Sequence, residues 1–271
     1  MGTWRDAEPP LASIGLLSRI FGIMRGAVLA GVLFGALAIV LAVRLVERPL
    51  FGLKRPMTPW ITQAVCRMAL ILLGIRYVVS GRPLGRMGAV VANHSSWLDI
   101  FALNACQRVY FVSKAEVAGW AGIGWLARAT GTVFIRRDPR EAVAQKALFE
   151  ARLRAGHHLL FFPEGTSTDG RRVLPFKSTL FSAFFNEDLG REMRVQPVSL
   201  IYRAPKGEDP RFYGWWGDMS LAPHLMAVLA RWRQGEIEVV FHEPVRVAAF
   251  ESRKALAAHC ERAVRSALPF A

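Results

Sequence analysis

The sequence predicts an α/β fold, a single domain with a central mixed sheet flanked by helices and preceded by an N-terminal membrane-anchoring helical region. The anchoring region is predicted by residues 26–43, GAVLAGVLFGALAIVLAV, which contain no charged side chain. The sheet is predicted by apolar runs of strand length that recur after Gly88 with helical stretches between them. Strands separated by helices are typical of an α/β domain built on one sheet.

The composition combines a strong positive charge with a high apolar content. The 271 residues include 35 Lys and Arg against 21 Asp and Glu, a formal net charge of +14, and 52% of them are hydrophobic. These values exclude a disordered, acidic or collagen-like protein. Nucleic-acid-binding proteins are usually basic and hydrophilic, whereas this chain is basic and apolar. We therefore expect an anionic membrane as partner and no nucleic acid. On charge alone, nucleic acid is the second candidate.

Neither the cysteines nor the histidines are spaced like metal ligands. Cys66, Cys106 and Cys260 are far apart and form no C-x-x-C pair, which argues against a disulfide framework and against a zinc site. His157 and His158 would point to opposite sides of a strand. We therefore expect free thiols in a cytoplasmic setting and neither a metal nor a cofactor.

The apolar run 26–43 is just long enough to cross a bilayer. Arg44 follows it where a signal peptide would have a small-residue cleavage site, so we expect an uncleaved anchor, single-pass or monotopic. Basic residues are more frequent after the run than before it, which predicts that the rest of the chain faces the cytoplasm from the inner membrane. A buried or interfacial helix is the alternative.

Further helices and the strands follow in order. Residues 60–75 contain Gln63 and Arg67, so an interfacial helix fits them better than a second span. A capping box that begins at Asp138 predicts a helix that ends at Gly156. The predicted strands are 89–92, 109–112, 132–135, 159–162, 195–202 and 237–241.

The segment NHSSWLD directly follows the strand 89–92 and places a histidine and a carboxylate five positions apart. On one continuous helix His94 and Asp99 would be separated by roughly 140° around the axis and would not meet. With Ser95 or Ser96 as N-cap, His94 lies before the helix and can contact Asp99 in its first turn. One imidazole nitrogen then binds the carboxylate, and the other is able to take a proton from a substrate hydroxyl. The equally supported alternative is a capping box that uses Asp99 for structure alone.

Two more clusters with anion-binding character lie just after predicted strands. The segment 161–167, FFPEGTS, combines glycine and hydroxyl residues and is soon followed by basic ones. Such a loop at the carboxyl end of a strand is a reasonable anion site. The alternative is an ordinary turn, in which Pro and Gly are also frequent. Arg136 and Arg137 follow the strand 132–135, where they either hold a phosphate or form a solvated surface.

Four blocks in this order resemble the glycerophospholipid acyltransferases typified by 1-acyl-glycerol-3-phosphate acyltransferase. The blocks are NHSSWLD at 93–99, GTVFIRR at 131–137, FPEGTS at 162–167 and VQPVS at 195–199. The resemblance, which covers about residues 75–245, implies that His94 deprotonates the acceptor hydroxyl and that Asp99 orients His94. The residues expected at the acceptor, from the resemblance or from the basic clusters, are Lys114, Arg136, Arg137, Glu164, Gly165, Thr166, Arg171 and Lys177.

The resemblance implies a membrane-bound O-acyltransferase that moves a fatty acyl group from acyl carrier protein or coenzyme A to the free hydroxyl of a lysolipid. Residues 1–75 are then anchor helices and residues 76–271 the acyltransferase domain. Because a thioester is already activated, no covalent enzyme intermediate is needed. Backbone amides near the helix start after His94, or at 164–166, are candidate donors to the oxyanion.

The acceptor implied by default is 1-acyl-glycerol-3-phosphate, which becomes phosphatidic acid. Ser167, however, stands where the family's third block usually has an arginine. Together with the insert 168–170 and the stretch 212–219, Ser167 resembles the branch that acylates lyso-ornithine lipid, an acceptor without phosphate. One enzyme could use both acceptors. A non-catalytic basic binder of membranes or nucleic acid is the alternative from another class.

Overall fold

Two helices precede the sheet in a computed structural model that describes residues 4, 13–85, 88–136, 140, 142–185 and 193–269. Helix α1 spans Leu16–Phe51 and helix α2 spans Thr58–Leu73. The first extends beyond both ends of the predicted apolar run, and by length and composition it is able to cross a membrane. The second overlaps the helix predicted at 60–75 and begins two residues earlier.

A buried carboxylate joins these two helices. Glu47 in α1 accepts hydrogen bonds from the amides of Met57 and Thr58 at 2.8 and 3.1 Å and from the Thr58 hydroxyl at 2.8 Å. A negative charge is favourable at a helix N-terminus, so Glu47 caps α2 from outside that helix. Its charge is also paired with Arg44, at 3.0 Å.

The described residues form one mixed sheet, as predicted, and it has eight strands. Its strands are β1 Arg76–Ser80, β2 Gly88–Ala92, β3 Val109–Lys114, β4 Val133–Ile135, β5 His158–Phe161, β6 Arg194–Arg203, β7 Glu236–Phe241 and β8 Val245–Arg246. The order is β1-β7-β6-β2-β5-β3-β4, and β8 also pairs with β6. Both β7 and β8 are antiparallel to β6, whereas β6, β2, β5, β3 and β4 run parallel.

Helices cover both faces of this sheet. The later helices are α3 Leu98–Cys106, α4 Ile123–Thr130, α5 Ala142–Arg154, α6 Leu221–Leu229 and α7 Arg253–Ser266. Successive residues of β2 pack into different hydrophobic clusters, one on each face of the sheet. Val90 belongs to the cluster that includes residues of α2, α3 and α6, and Val91 to the cluster that includes residues of α5 and α7. Burial on both sides explains why the central strands are continuous apolar runs.

All six predicted strands are present, whereas β1 and β8 were not predicted. The edge strand β1 is only half-buried, and β8 has two residues, so neither carries a clear apolar pattern. The helix expected to end at Gly156 is α5, and Gly156 has a φ of +84° that suits glycine. The predicted start of that helix, at Asp138, lies outside the described residues.

Candidate active site

Four of the predicted site residues lie along one edge of the sheet, formed by the carboxyl ends of its strands. Because β2, β5, β3 and β4 are parallel neighbours, their carboxyl ends meet there. His94 follows β2, Glu164 follows β5, Lys114 ends β3 and Arg136 follows β4. With about 4.8 Å between strands, the backbone near Arg136 is roughly 14 Å from that of β2. This edge is the usual position for a ligand site in an open α/β sheet.

His94 and Asp99 form a hydrogen-bonded pair at the start of α3. His94 Nδ1 lies 2.6 Å from Asp99 Oδ2. Asp99 is fully buried, whereas the His94 side chain is 22% exposed. Since Nδ1 contacts the carboxylate, Nε2 on the other side of the ring is left for a proton from a ligand.

The same Asp99 carboxylate also caps the helix. Its Oδ2 accepts the amides of Ser95 and Ser96 at 2.9 and 3.2 Å, which is the reciprocal half of a capping box. The regular part of helix α3 begins at Leu98, and Trp97 already has helical dihedral angles. The Ser96 hydroxyl accepts the Leu98 amide at 3.3 Å, so Ser96 acts as the N-cap that the sequence predicts. The capping and catalytic explanations of Asp99 are therefore compatible.

Tyr202 completes the arrangement and was missed by the sequence analysis. Its hydroxyl donates a hydrogen bond to Asp99 Oδ1, from a position 103 residues away in the chain. Tyr202 lies on β6, and Asn93 links the end of β2 to that strand through two hydrogen bonds with the backbone of Leu200, at 2.9 and 2.8 Å. Burial raises the pKa of Tyr202 well above its ordinary value, so the hydroxyl remains a donor.

The Glu164 carboxylate is buried and binds backbone amides with both oxygens. Oε1 accepts from the His94 amide at 2.7 Å, and Oε2 accepts from the Leu174 amide at 2.6 Å. Burial raises the pKa of Glu164 to about 8, against the opposing effect of these amides. Glu164 thus holds the His94 segment in place, and a direct contact with an acceptor remains a prediction.

Distant segments position the backbone and ring of His94. The Thr168 amide donates to the His94 carbonyl at 2.9 Å, and the Trp215 amide donates to the Ser95 carbonyl at 2.8 Å. The His94 ring stacks on Phe162, with 4.1 Å between ring centroids. These contacts pre-organise the imidazole before any ligand binds.

The aromatic stretch 212–219 packs against the site. Trp216 is 1% exposed and Trp215 is half-buried, so these tryptophans form part of a buried aromatic cluster. A Cβ on Gly214 would lie 2.9 Å from the backbone of Asp169, which explains the need for glycine there. The stretch thereby fixes the insert 168–170.

Lys177 is the basic side chain that contacts the third block. A Cβ on Gly165 would lie 2.6 Å from Lys177 Nζ, and Gly165 has a φ of +74°. The ammonium group therefore lies directly against the P-E-G-T loop. Thr166, half-buried, follows in the same loop.

The other basic residues predicted at the acceptor have surroundings different from those of Lys177. Arg172, the neighbour of Arg171, is held by buried Asp169 through Nε at 3.0 Å and Nη2 at 2.9 Å. The Arg171 amide also donates to Asp169, at 3.0 Å. Lys114 and Arg136 are exposed at the ends of their strands. Arg137 lies outside the described residues.

Known proteins similar to this chain are acyltransferases. The acyltransferase family model matches residues 80–201. The lyso-ornithine lipid O-acyltransferase of Rhodobacter capsulatus is 63% identical over 97% of this chain and 94% of that protein. The 1-acyl-sn-glycerol-3-phosphate acyltransferase of Neisseria gonorrhoeae is 33% identical over 65% of this chain and 68% of that protein.

A solved structure has the same fold. The crystal structure of the 1-acyl-sn-glycerophosphate acyltransferase of Thermotoga maritima aligns with a TM-score of 0.63 over 93% of each chain. Its sequence is 24% identical, so the match concerns the architecture.

Proposed function

This chain belongs to the acyltransferase family, and on that premise we propose that it transfers a fatty acyl group from a thioester to the hydroxyl of lyso-ornithine lipid, with 1-acyl-glycerol-3-phosphate as second acceptor. The 2.6 Å contact between His94 Nδ1 and Asp99 Oδ2 is the observation that carries the acyl-transfer chemistry. The first acceptor is supported by the 63% identity, over nearly the whole chain, to the Rhodobacter capsulatus enzyme named for it.

In this reaction His94 is the general base. Its Nε2 takes the proton of the acceptor hydroxyl while the hydroxyl oxygen attacks the thioester carbonyl carbon. Collapse of the tetrahedral intermediate breaks the C–S bond, and the leaving thiolate recovers the proton from His94. Asp99 maintains the required tautomer and stabilises the transient imidazolium.

The oxyanion requires donors that are not already used. The amides of His94, Ser95 and Ser96 donate to Glu164 or Asp99. Within the part of the chain that the structure describes, the amides of Glu164 and Thr166 have no acceptor. We assign the oxyanion to these two amides, which lie in the loop that also holds the His94 segment.

The second acceptor is favoured by the position of Lys177. Its ammonium group lies against Gly165, close to where the family usually has an arginine in the third block. A phosphate can bind there, and so can the carboxylate of an aminolipid. Lys114, Arg136 and Arg171 are the further residues that we propose for the acceptor headgroup.

We propose that residues 1–75 form a monotopic anchor rather than a single-pass one. Near its N-terminus, α1 packs on α6: Arg25 Nη1 donates to the Arg231 carbonyl at 2.7 Å, and Phe21 stacks on Trp232 at 3.9 Å. Just after α1, Arg55 Nη2 donates to the Ala129 carbonyl at 2.7 Å. A helix held by one domain near both ends lies alongside it, with its exposed apolar face in the membrane interface.

The orientation and the donor complete the proposal. Residues 76–271 form the acyltransferase domain on the cytoplasmic side of the inner membrane, where acyl carrier protein or coenzyme A supplies the thioester. The reaction itself uses no resident metal or cofactor. A lysolipid in the membrane then reaches His94 from the same surface that α1 occupies.

The test measures product from each acceptor with the purified protein in membranes. Labelled acyl carrier protein or coenzyme A thioester is supplied with lyso-ornithine lipid or with 1-acyl-glycerol-3-phosphate, and His94→Ala is the control. We expect product from lyso-ornithine lipid with the higher kcat/KM and none with His94→Ala. A higher kcat/KM for the phosphate acceptor would reverse the order of acceptors. Absence of product from both would favour the non-catalytic binder.

A further inference from the structure

A pocket lies at the amino ends of the central strands, on the opposite side of the sheet's length from His94. We call it the basal pocket; its volume is about 320 Å³, and its polar lining consists of Lys54, Arg55, Arg108, Tyr110, His157 and His158. His158 is the first residue of β5, and Phe162, which stacks on His94, follows the last. The four residues of β5 therefore separate the basal pocket from the level of His94 by roughly 13 Å.

The basal pocket carries more positive than negative charge. Lys54, Arg55 and Arg108 line it, and Arg152 lies behind them over the Tyr110 ring, at 5.3 Å. The salt bridges found among the described residues include none of these four cations. The neighbouring carboxylate, Glu47, is paired with Arg44 and occupied in capping α2.

His157 adds a buried donor to the pocket wall. Arg152 Nη1 lies 3.2 Å from His157 Nδ1, and because a guanidinium only donates, Nδ1 is the acceptor and Nε2 carries the hydrogen. His157 is 4% exposed, and within the described residues its Nε2–H makes no hydrogen bond of normal geometry; the Leu53 backbone acts on the ring only weakly. Burial, with Arg152 and Arg55, lowers the pKa of His157 to about 4 against a smaller opposing effect of the Leu53 backbone, so the ring stays neutral.

The pocket opens beside the elbow between α1 and α2. Large apolar side chains are exposed along this elbow, at Leu45, Val46, Leu50, Phe51, Leu53, Met57 and Trp60. The guanidinium of Arg108 lies 3.7 Å from the centroid of the Trp60 ring. Exposed apolar and aromatic residues mixed with basic ones are typical of a surface at the level of lipid headgroups.

We propose that the basal pocket binds a phosphate group, presented by an anionic membrane lipid or by a soluble phosphate, at a site separate from acyl transfer. Lys54 and Arg108, both exposed, meet the phosphate first. Arg55 lies deeper in the pocket; its Nη2 binds the Ala129 carbonyl, and its other N–H groups can form a charge-assisted hydrogen bond. The Nε2–H of His157 supplies a neutral donor at the pocket wall. A lipid phosphate held here would orient the domain on the membrane.

The experiment compares the double variant Lys54→Gln/Arg108→Gln with the wild-type protein. Both side chains are exposed, so the fold should be retained, as circular dichroism can verify. The matched control is Arg253→Gln/Lys254→Gln, which removes the same charge from exposed positions of α7 outside the pocket. One arm measures flotation with phosphatidylcholine vesicles containing phosphatidylglycerol, and the other measures calorimetric titration with inorganic phosphate in uncharged detergent.

We expect about 30-fold weaker binding of the double variant in at least one arm, because each basic residue near an anionic surface contributes about 1 kcal/mol. Loss in the vesicle arm alone identifies a lipid phosphate, and loss in the titration identifies a soluble one. Equal binding by double variant and wild type in both arms overturns the proposal, as does an equal loss in the α7 control.

Turnover separates this proposal from the proposed acyl transfer. With acceptor dispersed in detergent, Lys54→Gln/Arg108→Gln should keep the wild-type kcat, because the basal pocket is at the opposite ends of the strands from His94. Conversely, His94→Ala should bind vesicles and phosphate like the wild type. A fall in detergent turnover equal to the fall in binding would contradict a separate site.

Discussion

His94 Nδ1 and Asp99 Oδ2 are 2.6 Å apart, and that one carboxylate oxygen also accepts the amides of Ser95 and Ser96. The aspartate therefore cannot rotate away from the imidazole without breaking the helix cap. Orientation of the proposed general base and initiation of α3 depend on the same atom. This coupling explains how a side chain five positions from the histidine can hold it rigidly.

Asp99→Asn should nearly abolish turnover while the protein stays folded. The amide can still accept one hydrogen bond, but it no longer stabilises an imidazolium and favours the wrong His94 tautomer. We expect kcat to fall about 10²- to 10⁴-fold, the usual contribution of general base catalysis. Initial rates and circular dichroism measure the two effects, and wild-type turnover in this variant would contradict the role of Asp99.

Tyr202→Phe should lower kcat and leave KM for the acceptor within about twofold of the wild-type value. The variant loses one hydrogen bond to a charged group, and such a bond contributes about 1.5–3 kcal/mol. Tyr202 contacts Asp99 Oδ1 and is buried, so it is a positioning residue. The expected loss in kcat is about 10- to 100-fold. Tyr213→Phe, which removes another buried tyrosine hydroxyl, is the matched control. A change in KM alone would place Tyr202 in acceptor binding.

Lys177→Gln should raise KM for 1-acyl-glycerol-3-phosphate about 10-fold or more and change kcat little. The lysine is exposed and its ammonium group lies against Gly165, where it can pair with an acceptor anion before and during the reaction. Lys254→Gln on α7 removes the same charge elsewhere. Steady-state kinetics of both variants with both acceptors would measure the change in KM. An unchanged KM of Lys177→Gln for each acceptor would exclude Lys177 from the headgroup site.

Glu164→Gln should flatten the pH dependence of stability. Burial raises the pKa of Glu164 to about 8, so between its ordinary value and pH 8 the folded protein keeps a proton that the unfolded chain has released. The free energy of unfolding of the wild type therefore falls as pH rises to about 8. The free energy of unfolding, measured by denaturant titration from pH 6.5 to 8.5, should fall less steeply in the variant; equal slopes for variant and wild type would refute the cause.

A pair of glycine substitutions tests the packing of α1. Alanine is preferred over glycine in a helix by about 0.5–1 kcal/mol. At Gly31 a Cβ would meet nothing within 4 Å, but at Gly22 it would lie 3.1 Å from the backbone of Ala230 in the turn after α6. Gly31→Ala should therefore raise the melting temperature in detergent, and Gly22→Ala should not. Equal shifts would argue for an α1 that lies away from the domain.

Much of the fold was predictable because its signals are local. The central strands β2 to β7 are short apolar runs, and α2 is an amphipathic segment that begins near Pro59 and ends at Gly74. Both β1 and β8 were missed because an edge strand is stabilised by its neighbour rather than by its own pattern. The order of the strands in the sheet likewise cannot be predicted from local sequence patterns, because it depends on how strands distant in the chain pair.

The sequence by itself determined the pairing partners His94 and Asp99, because a turn and a helix start bring side chains at this short spacing together through local hydrogen bonds. Only the tertiary structure decided that Tyr202 holds the second oxygen of Asp99 and that Glu164, 70 residues from His94, binds its amide. Those contacts exist because β6 and β5 lie on either side of β2. Their cause is strand order, a property of the folded chain that residue spacing does not encode.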